Sequence, residues 1–255
     1  MNALRLWSGG DEVRMWLLCL PPGGGAARQF RSWRDRLPPA LGVAAAEYPG
    51  HGSRSDEPPA SSAGALVGEL ARDIVPLLGR PVVLFGHSMG AILALDLARA
   101  LRAERGWRSA ALVAAASEPP DRPLVPAGAA ASDEELTALL RAWGGTSDEL
   151  LADGGYLAET LPVIRADLAL MAGRAHGDEP PLDCPVHTYL GEGDASVDAA
   201  EAREGWARQT RAGHTARAFP GGHFFFRESA DRVLAALVDD ANAAVGGRLQ
   251  GVTHG

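Results

Sequence analysis

PVVLFGHSMGAILALDLARALRAER, residues 81–105, joins a strand to a helix through a serine. Pro81–Phe85 is short, β-branched and apolar, as a buried strand is. A helix is expected from about Met89 to Arg105. Between them stands Gly86-His87-Ser88-Met89-Gly90. A G-x-S-x-G pentapeptide in that context is a nucleophile elbow. Its serine sits in a strained turn that lifts the hydroxyl out of the sheet top. Gly86 and Gly90 remove side chains that would clash across so tight a turn. The helix that follows brings its N-terminal dipole and the Met89 N–H beside Ser88.

The flanking sequence repeats the strand–helix alternation that builds a parallel α/β sheet. Val13–Leu20 is a continuous apolar run closed by Pro21-Pro22, and Val43–Tyr48 is stopped by Pro49-Gly50. A polar, helix-like stretch runs to about Leu37, and Ala65–Leu78 carries Leu66, Leu70, Ile74 and Leu77 on one face. A strand at Ala110–Ala116 follows the elbow helix. The alternation then breaks over residues 118–182, which hold helical patterns near Asp133–Trp143, Ser147–Ala152 and Leu161–Ala172. It resumes with strands Val186–Leu190 and Thr215–Phe219 and helices Ala199–Thr210 and Ser229–Ala244. One domain over 1–255 is expected, with 118–182 as a helical insertion placed where a lid would sit. Leu157, Leu161, Ile164, Leu168, Leu170 and Met171 in it either line an acyl channel or pack the insertion on the core.

A serine hydroxyl is a weak nucleophile until a base takes its proton. On this sheet the partners follow in the order Ser, then Asp or Glu, then His. His223, after Pro220-Gly221-Gly222, sits on the loop beyond the last strand, at the sheet edge that carries Ser88. The other histidines fit less well. His51 precedes Ser88, the elbow turns His87 away, and His176 is in the insertion. His187 is inside a strand, His214 precedes one, and His254 is in the tail. For the acid, Asp194 ends the loop Gly191-Glu192-Gly193 at the same edge. Asp198 is its nearest rival but suits a helix N-cap better, and Glu192 is the next. The oxyanion hole needs two N–H donors. Met89 supplies one; Gly23, with Gly24 as the alternative, supplies the other from Gly23–Gly25.

Composition narrows the classes further. Of 255 residues, 46% are hydrophobic, enough for a core and too many for a disordered tail. The formal charge of −8 argues against nucleic-acid binding through bulk charge. All basic residues are arginine. No segment approaches the roughly 18 apolar residues of a membrane span, and Met15–Leu20 is too short for a signal peptide. Cys19 and Cys184 read as buried free thiols in a reducing, cytoplasmic setting. Cys184 and His187 are too few to make a zinc site, so no metal is expected.

Taken in order, these motifs resemble the type II thioesterases that accompany polyketide synthases and nonribosomal peptide synthetases. The resemblance runs through LPPGGGAARQFRSW (20–33), YPGHGSR (48–54), GHSMG (86–90), LRAWGGTSDELL (140–151), LPVIRADLAL (161–170), GEGD (191–194), a helix with Trp206, and PGGHFFF (220–226). It departs at Pro22-Gly23, where the family's loop has His-Ala. The resemblance implies an α/β-hydrolase fold, with Ser88, Asp194 and His223 as triad and the Met89 and Gly23 amides as oxyanion hole. It implies hydrolysis of acyl groups from the phosphopantetheine arm of carrier proteins, to edit or to release, with no bound cofactor. Partners would be acyl or peptidyl carrier domains of a megasynthase, met by a monomer. Such carriers are acidic. Arg28, Arg31, Arg34 and Arg36 follow the oxyanion loop, either as a docking patch led by Arg28 and Arg31 or as a solvated helix face. Arg99, Arg102, Arg105 and Arg108 read as cations complementing a helix C-terminus. The alternative activity is that of a carboxylesterase or lipase on small oxygen esters. A thioesterase domain cut from a megasynthase would carry carrier-like sequence upstream, and a non-catalytic binding protein need not keep all three triad groups.

Overall fold

The computed structural model describes residues 3–122, 131–174 and 179–246. Seven strands form one sheet: β1 (Leu4–Leu6), β2 (Met15–Leu20), β3 (Leu41–Ala46), β4 (Val82–His87), β5 (Ala111–Ala115), β6 (Val186–Gly191) and β7 (His214–Phe219), in the order β1-β3-β2-β4-β5-β6-β7. β2 to β7 are parallel; only β1 runs against its neighbour, β3. All loops that follow β2–β7 therefore leave the sheet at one edge, where ligands collect on open parallel sheets.

Alternation along the strands divides the core in two. Leu18, Leu20, Val82 and Leu84 face α1 (Ala63–Asp73), α2 (Met89–Arg105) and Trp206 of α6 (Ala199–Ala207). Leu17, Cys19, Val83 and Phe85 face Phe30 and Trp33 of a 3₁₀ helix at Ala27–Asp35, and α8 (Ala230–Ala244). Helices on both faces of a mostly parallel sheet are the expected α/β-hydrolase arrangement. Both cysteines are buried and free. Among the described residues no helix is long and apolar enough to cross a membrane.

Several boundaries move for local reasons. The sequence pattern does not signal β1, whose three residues are too few for a period. The 65–78 helix starts at Ala63, capped by the Ser62 side chain, and stops at Asp73; a short 3₁₀ turn at Val75–Leu77 carries Pro76. The third helix of the insertion begins at Gly154 rather than Leu161 and holds Pro162 inside it. Asp153 caps it through the Gly155 and Tyr156 amides. Asp198 caps α6 in the same way, as expected.

Between β5 and β6 lie α3 (Asp133–Trp143), α4 (Asp148–Leu151) and α5 (Gly154–Ala172). Residues 123–130 and 175–178 of the insertion, His176 with them, lie outside the described residues, as does His254. Leu136, Leu140, Leu151, Leu161 and Ile164 give these helices a small core of their own. Just beyond α5, buried Arg174 grips Asp96 of α2 through two hydrogen bonds of 2.6 and 2.7 Å. The arginines of 99–108 do more than complement a helix end. Arg102 donates to the Pro180 and Pro181 carbonyls, and Arg99 to Gln209.

The elbow is closed by backbone. A Cβ on Gly86 would fall on Gly90 O and the Ala91 backbone; one on Gly90 would fall on Leu20 O and Pro21 O. In an ordinary helix Gly→Ala stabilises by about 1 kcal/mol. Here Gly90→Ala is expected to destabilise by about 2–3 kcal/mol, as overpacking does, and urea unfolding of the two proteins measures the reversal of sign.

Candidate active site

Ser88 leaves the end of β4 with φ +53° and ψ −120°. Only one other described residue that is not glycine has positive φ, Ala116 at the end of β5. Both line the same cavity of about 240 Å³. The Ser88 N–H is held by Ala115 O at 2.8 Å, so the neighbouring strand fixes the turn. The N-terminal amide of α2, Met89, opens beside Ser88, and Met89 lines the cavity too.

His223 and Asp194 come from the loops after β7 and β6. Those loops pack backbone to backbone: a Cβ on Gly191 would meet Gly222 O, and Gly193 N–H donates to Gly221 O. His223 Nδ1–H donates to Asp194 Oδ2 at 2.8 Å, with both side chains about 95% buried or more. That bond leaves Nε2 as the free ring nitrogen. His223 lines the Ser88 cavity, though no hydrogen bond joins the ring to the Ser88 hydroxyl. The structure thus brings Ser88, His223, Met89 and Gly23 to one cavity and pairs Asp194 with His223. Asp198 is spent on the α6 cap.

Residues the sequence did not single out complete the pair. Ser196 donates to Asp194 Oδ1 through its hydroxyl (2.6 Å) and its backbone N–H (3.0 Å). Its Oγ also lies 3.0 Å from His223 Nδ1. An Asp side chain that accepts the backbone N–H two residues on forms an Asx-turn, and here it shapes the loop that carries the acid. Trp143, the last residue of α3, stacks on His223 with centroids 5.9 Å apart and planes at 18°. His87 does turn away from the cavity, but it holds the base's backbone: its Nε2–H donates to His223 O at 2.8 Å, and its ring stacks on Phe224. Burial pushes His87 far below the ordinary histidine range, and nearby His223 adds to the effect. It is therefore a neutral strut.

Over the cavity stand Trp143 of α3 and Ile164, Asp167, Leu168 and Met171 of α5. Of the insertion's apolar residues, Leu139, Trp143, Ile164, Leu168 and Met171 line the cavity, while Leu161 lies in the insertion's own core, which Ile164 shares. Gly23 lines the floor, and no acceptor among the described residues takes its N–H. Gly24, the alternative donor, has its N–H committed to Asp167 Oδ2 at 2.7 Å, so Gly23 is the donor left for a ligand. A larger, open groove of about 950 Å³ runs along α3 and α5 but touches none of Ser88, His223 and Asp194.

Two other features carry no chemistry. His187 lies 3.6 Å from Asp240, but that carboxylate is engaged by Tyr189 and Arg217, and neither His187 nor Asp240 reaches the cavity. Cys184 Sγ sits 3.0 Å from Ser109 Oγ, and among the described residues no cluster of His, Cys, Asp or Glu could hold a metal.

Burial raises the Asp194 carboxyl, but the hydrogen bond and charge of His223 together with the Ser196 contacts outweigh it, and the net shift is downward. A carboxylate depressed in the folded state contributes stability that is full above its unfolded pKa, near 4, and lost as pH falls through the folded value. Urea unfolding of Asp194→Asn is therefore expected to show a flatter acid limb than the wild type below about pH 5, while unfolding at neutral pH shows the wild type ahead.

Comparison with known proteins agrees with this geometry. The family model described as a thioesterase domain matches residues 16–241. The gramicidin S biosynthesis protein GrsT of Aneurinibacillus migulanus is 30% identical over 226 residues, 86% of each chain. Among solved structures, the type II thioesterase BorB from the borrelidin biosynthetic cluster superposes with a TM-score of 0.80 at 33% identity, covering 94% of this chain and 98% of BorB. The RedJ thioesterase from the prodiginine pathway of Streptomyces coelicolor gives 0.81 at 34%, covering 89% and 91%. With a family match from β2 into α8 and a serine elbow at its centre, the chain belongs to the thioesterase domain family.

Proposed function

We propose that this protein is a type II thioesterase that hydrolyses acyl groups from the phosphopantetheine arm of carrier proteins in polyketide or nonribosomal peptide biosynthesis. The observation that carries this reading is one small cavity holding a strained serine, a histidine backed by a buried carboxylate, and two uncommitted amides. Family membership selects the thioester.

His223 Nε2 removes the Ser88 proton as Oγ attacks the thioester carbonyl. Asp194 keeps the proton on Nδ1 and stabilises the imidazolium. The tetrahedral oxyanion is held by the Met89 and Gly23 N–H groups. Its collapse expels the phosphopantetheine thiol, which takes the proton from His223. His223 then deprotonates a water, which attacks the acyl-serine; collapse of this second tetrahedral intermediate frees the acid as Ser88 Oγ takes the proton back from His223. Side chains, amides and water carry each step, with no metal or cofactor assigned a part. The helices over the cavity act as a lid that admits the arm, and the stacking of Trp143 on His223 lets their placement be felt at the base.

Carrier docking is assigned to the 3₁₀ helix after the oxyanion loop. Arg34 and Arg36 are occupied by Asp35 and Asp231. Arg28 and Arg31 are exposed and, among the described residues, unpaired. Cations left without internal partners suit an acidic surface. The protein works as a monomer in the cytoplasm, a setting with which its buried, unpaired thiols are compatible.

The test is intact-protein mass spectrometry on carrier proteins loaded with short and medium acyl groups. Wild type should remove the acyl mass faster than it cleaves the same acyl groups as oxygen esters. Ser88→Ala should lose about 10⁶-fold if the triad acts as a unit. Carriers that stay loaded while oxygen esters are cleaved would make the protein an esterase. The double variant Arg28→Glu/Arg31→Glu should lower kcat/KM on the carrier substrate by about tenfold or more, and by much less on a small acyl thioester. Equal losses on both would remove these arginines from docking.

A further inference from the structure

Asp167 is a carboxylate on α5, in the wall of the Ser88 cavity, and 6% exposed. Its Oδ2 takes two bonds from segments far away in the sequence: the Gly24 N–H at 2.7 Å and His51 Nε2 at 2.9 Å. His51 comes from the loop after β3 and is itself buried. Its other nitrogen, Nδ1, lies 3.0 Å from Pro49 O. A carbonyl can only accept, so Nδ1 carries a proton. Oδ2 already accepts from Gly24, and the short contact from Nε2 is best satisfied by a second N–H. The geometry thus describes an imidazolium bonded to a carboxylate. His51 is shifted in the matching direction: burial lowers it, but the bond and charge of Asp167, the Pro49 carbonyl and the charge of Glu47 together raise it.

This pair bears on the oxyanion loop. Gly24 has φ +67°, and a Cβ there would fall on Ile164 Cδ1, one helical turn before Asp167. Polyglycine has no side chains with which to hold itself, and Gly23–Gly25 must still present one amide to within a few tenths of an ångström. On its two flanks the loop is tied by Tyr48 OH to Pro21 O at 3.1 Å and by Ala27 N–H to buried Glu47 at 2.9 Å. The peptide that carries the Gly23 N–H is tied by the loop's own turn, Gly25 N–H donating to Pro22 O at 2.9 Å, and Asp167 ties the next peptide through the Gly24 N–H.

We propose that Asp167, held by His51, is a positioning residue: by accepting the Gly24 N–H it fixes the Gly23–Gly24 peptide, and across the Gly23 Cα that anchored peptide limits how the adjoining Pro22–Gly23 peptide can turn, and so where the Gly23 N–H points relative to the oxyanion. The proposal rests on the thioesterase reading above and names the residue that sets its second donor. Asp167 makes no hydrogen bond to Ser88 or His223; its bonds go to Gly24 and His51. It makes the oxyanion hole depend on where α5 sits, so that roof and floor are assembled together.

The test separates positioning from folding and from binding. Steady-state kinetics on a small acyl thioester would be run for wild type, Asp167→Asn and Asp167→Ala, with melting curves and with affinity for a boronic acid, which forms a tetrahedral adduct on an active serine. Removing an oxyanion donor costs about 10²–10³ in kcat; misaiming one should cost about 30-fold or more in Asp167→Ala, with KM within about threefold and boronate affinity falling in parallel with kcat. Asn keeps an oxygen for Gly24 N–H, so Asp167→Asn should recover most of the loss and stay within about fivefold of wild type. The proposal is overturned if kcat in Asp167→Ala is unchanged, if the loss lies in KM, or if Asn and Ala lose equally. Should Asp167→Ala fail to fold, His51→Gln against His51→Leu carries the same comparison, Gln retaining a donor for the carboxylate and Leu leaving it unpaired. Ser88→Ala in the same assay distinguishes the two levels: activity that survives it refutes the thioesterase reading itself, whereas Ser88-dependent activity indifferent to Asp167 refutes only this inference.

Discussion

The close backbone approach at the elbow is the constraint from which the rest follows. β4 is parallel to β2 on one side and β5 on the other, and each neighbour touches the turn. β2 and the residue after it press carbonyls, Leu20 O and Pro21 O, against Gly90. β5 binds the Ser88 N–H through Ala115 O. A serine at φ +53° costs of order 1–3 kcal/mol and persists only where its surroundings over-determine it. Two strands and two glycines do so here. Once Ser88 is fixed, α2 must start at Met89, its first amide must face the cavity, and the loops after β2, β6 and β7 are the ones within reach.

That dependence explains what could be read from residues alone. Parallel strands buried on both faces are continuous apolar runs, and Met15–Leu20, Leu41–Ala46 and Val82–His87 are buried throughout. The parallel sheet puts its loops at one edge, so chain order and loop position suffice to select His223 and Asp194 from many candidates. Local signals failed where the local rule was broken or too short. β1 has three residues, and a proline stands inside α5. The larger omissions share one cause. Asp167 meets His51 across 116 residues of sequence and Gly24 across 143. Trp143 stacks on a ring 80 positions later. His87 bonds a carbonyl 136 positions away. No periodicity or cap reports such contacts. The place of His51 before Ser88 in the chain keeps it out of the catalytic order, but that order says nothing about support.

The motif around His51 shows how a loop with few side chains is held. In YPGHGSR, Tyr48 bonds Pro21 O, and Arg54 bonds Glu57, Glu69 and the Glu47 carbonyl. Glu47, 4% exposed, accepts from Ala27 N–H and from Ser53, and Gly52 lies so close to its carboxylate that a Cβ would not fit. Buried charges of this kind gain little stability over apolar packing when paired, yet are strongly destabilising when one partner is lost. Their directional bonds can hold a glycine loop at a defined orientation, which apolar contact cannot.

The two halves of the proposed site are thus supported differently. Ser88, His223 and Asp194 rest on the sheet: on β4 and on the interlocked backbones of the loops after β6 and β7. The loop of the Gly23 amide rests on its own turn, Gly25 N–H to Pro22 O, and on side chains, one of which, Asp167, belongs to the insertion. The polar and aromatic contacts between insertion and body include three made by α3, α5 and the residue just beyond it: Arg174 on Asp96, Asp167 on Gly24 and His51, and Trp143 on His223. Two of the three touch the proposed machinery itself. Any displacement of α5 that opened a path for a long substrate arm would have to break or carry the Asp167 contacts, while leaving the Asp194–His223 pair on its own scaffold. Base and nucleophile would stay aligned as the second oxyanion donor was released. On that proposal the sheet and its interlocked loops would hold the nucleophile and its base ready, whereas a complete oxyanion hole would require the roof to be seated.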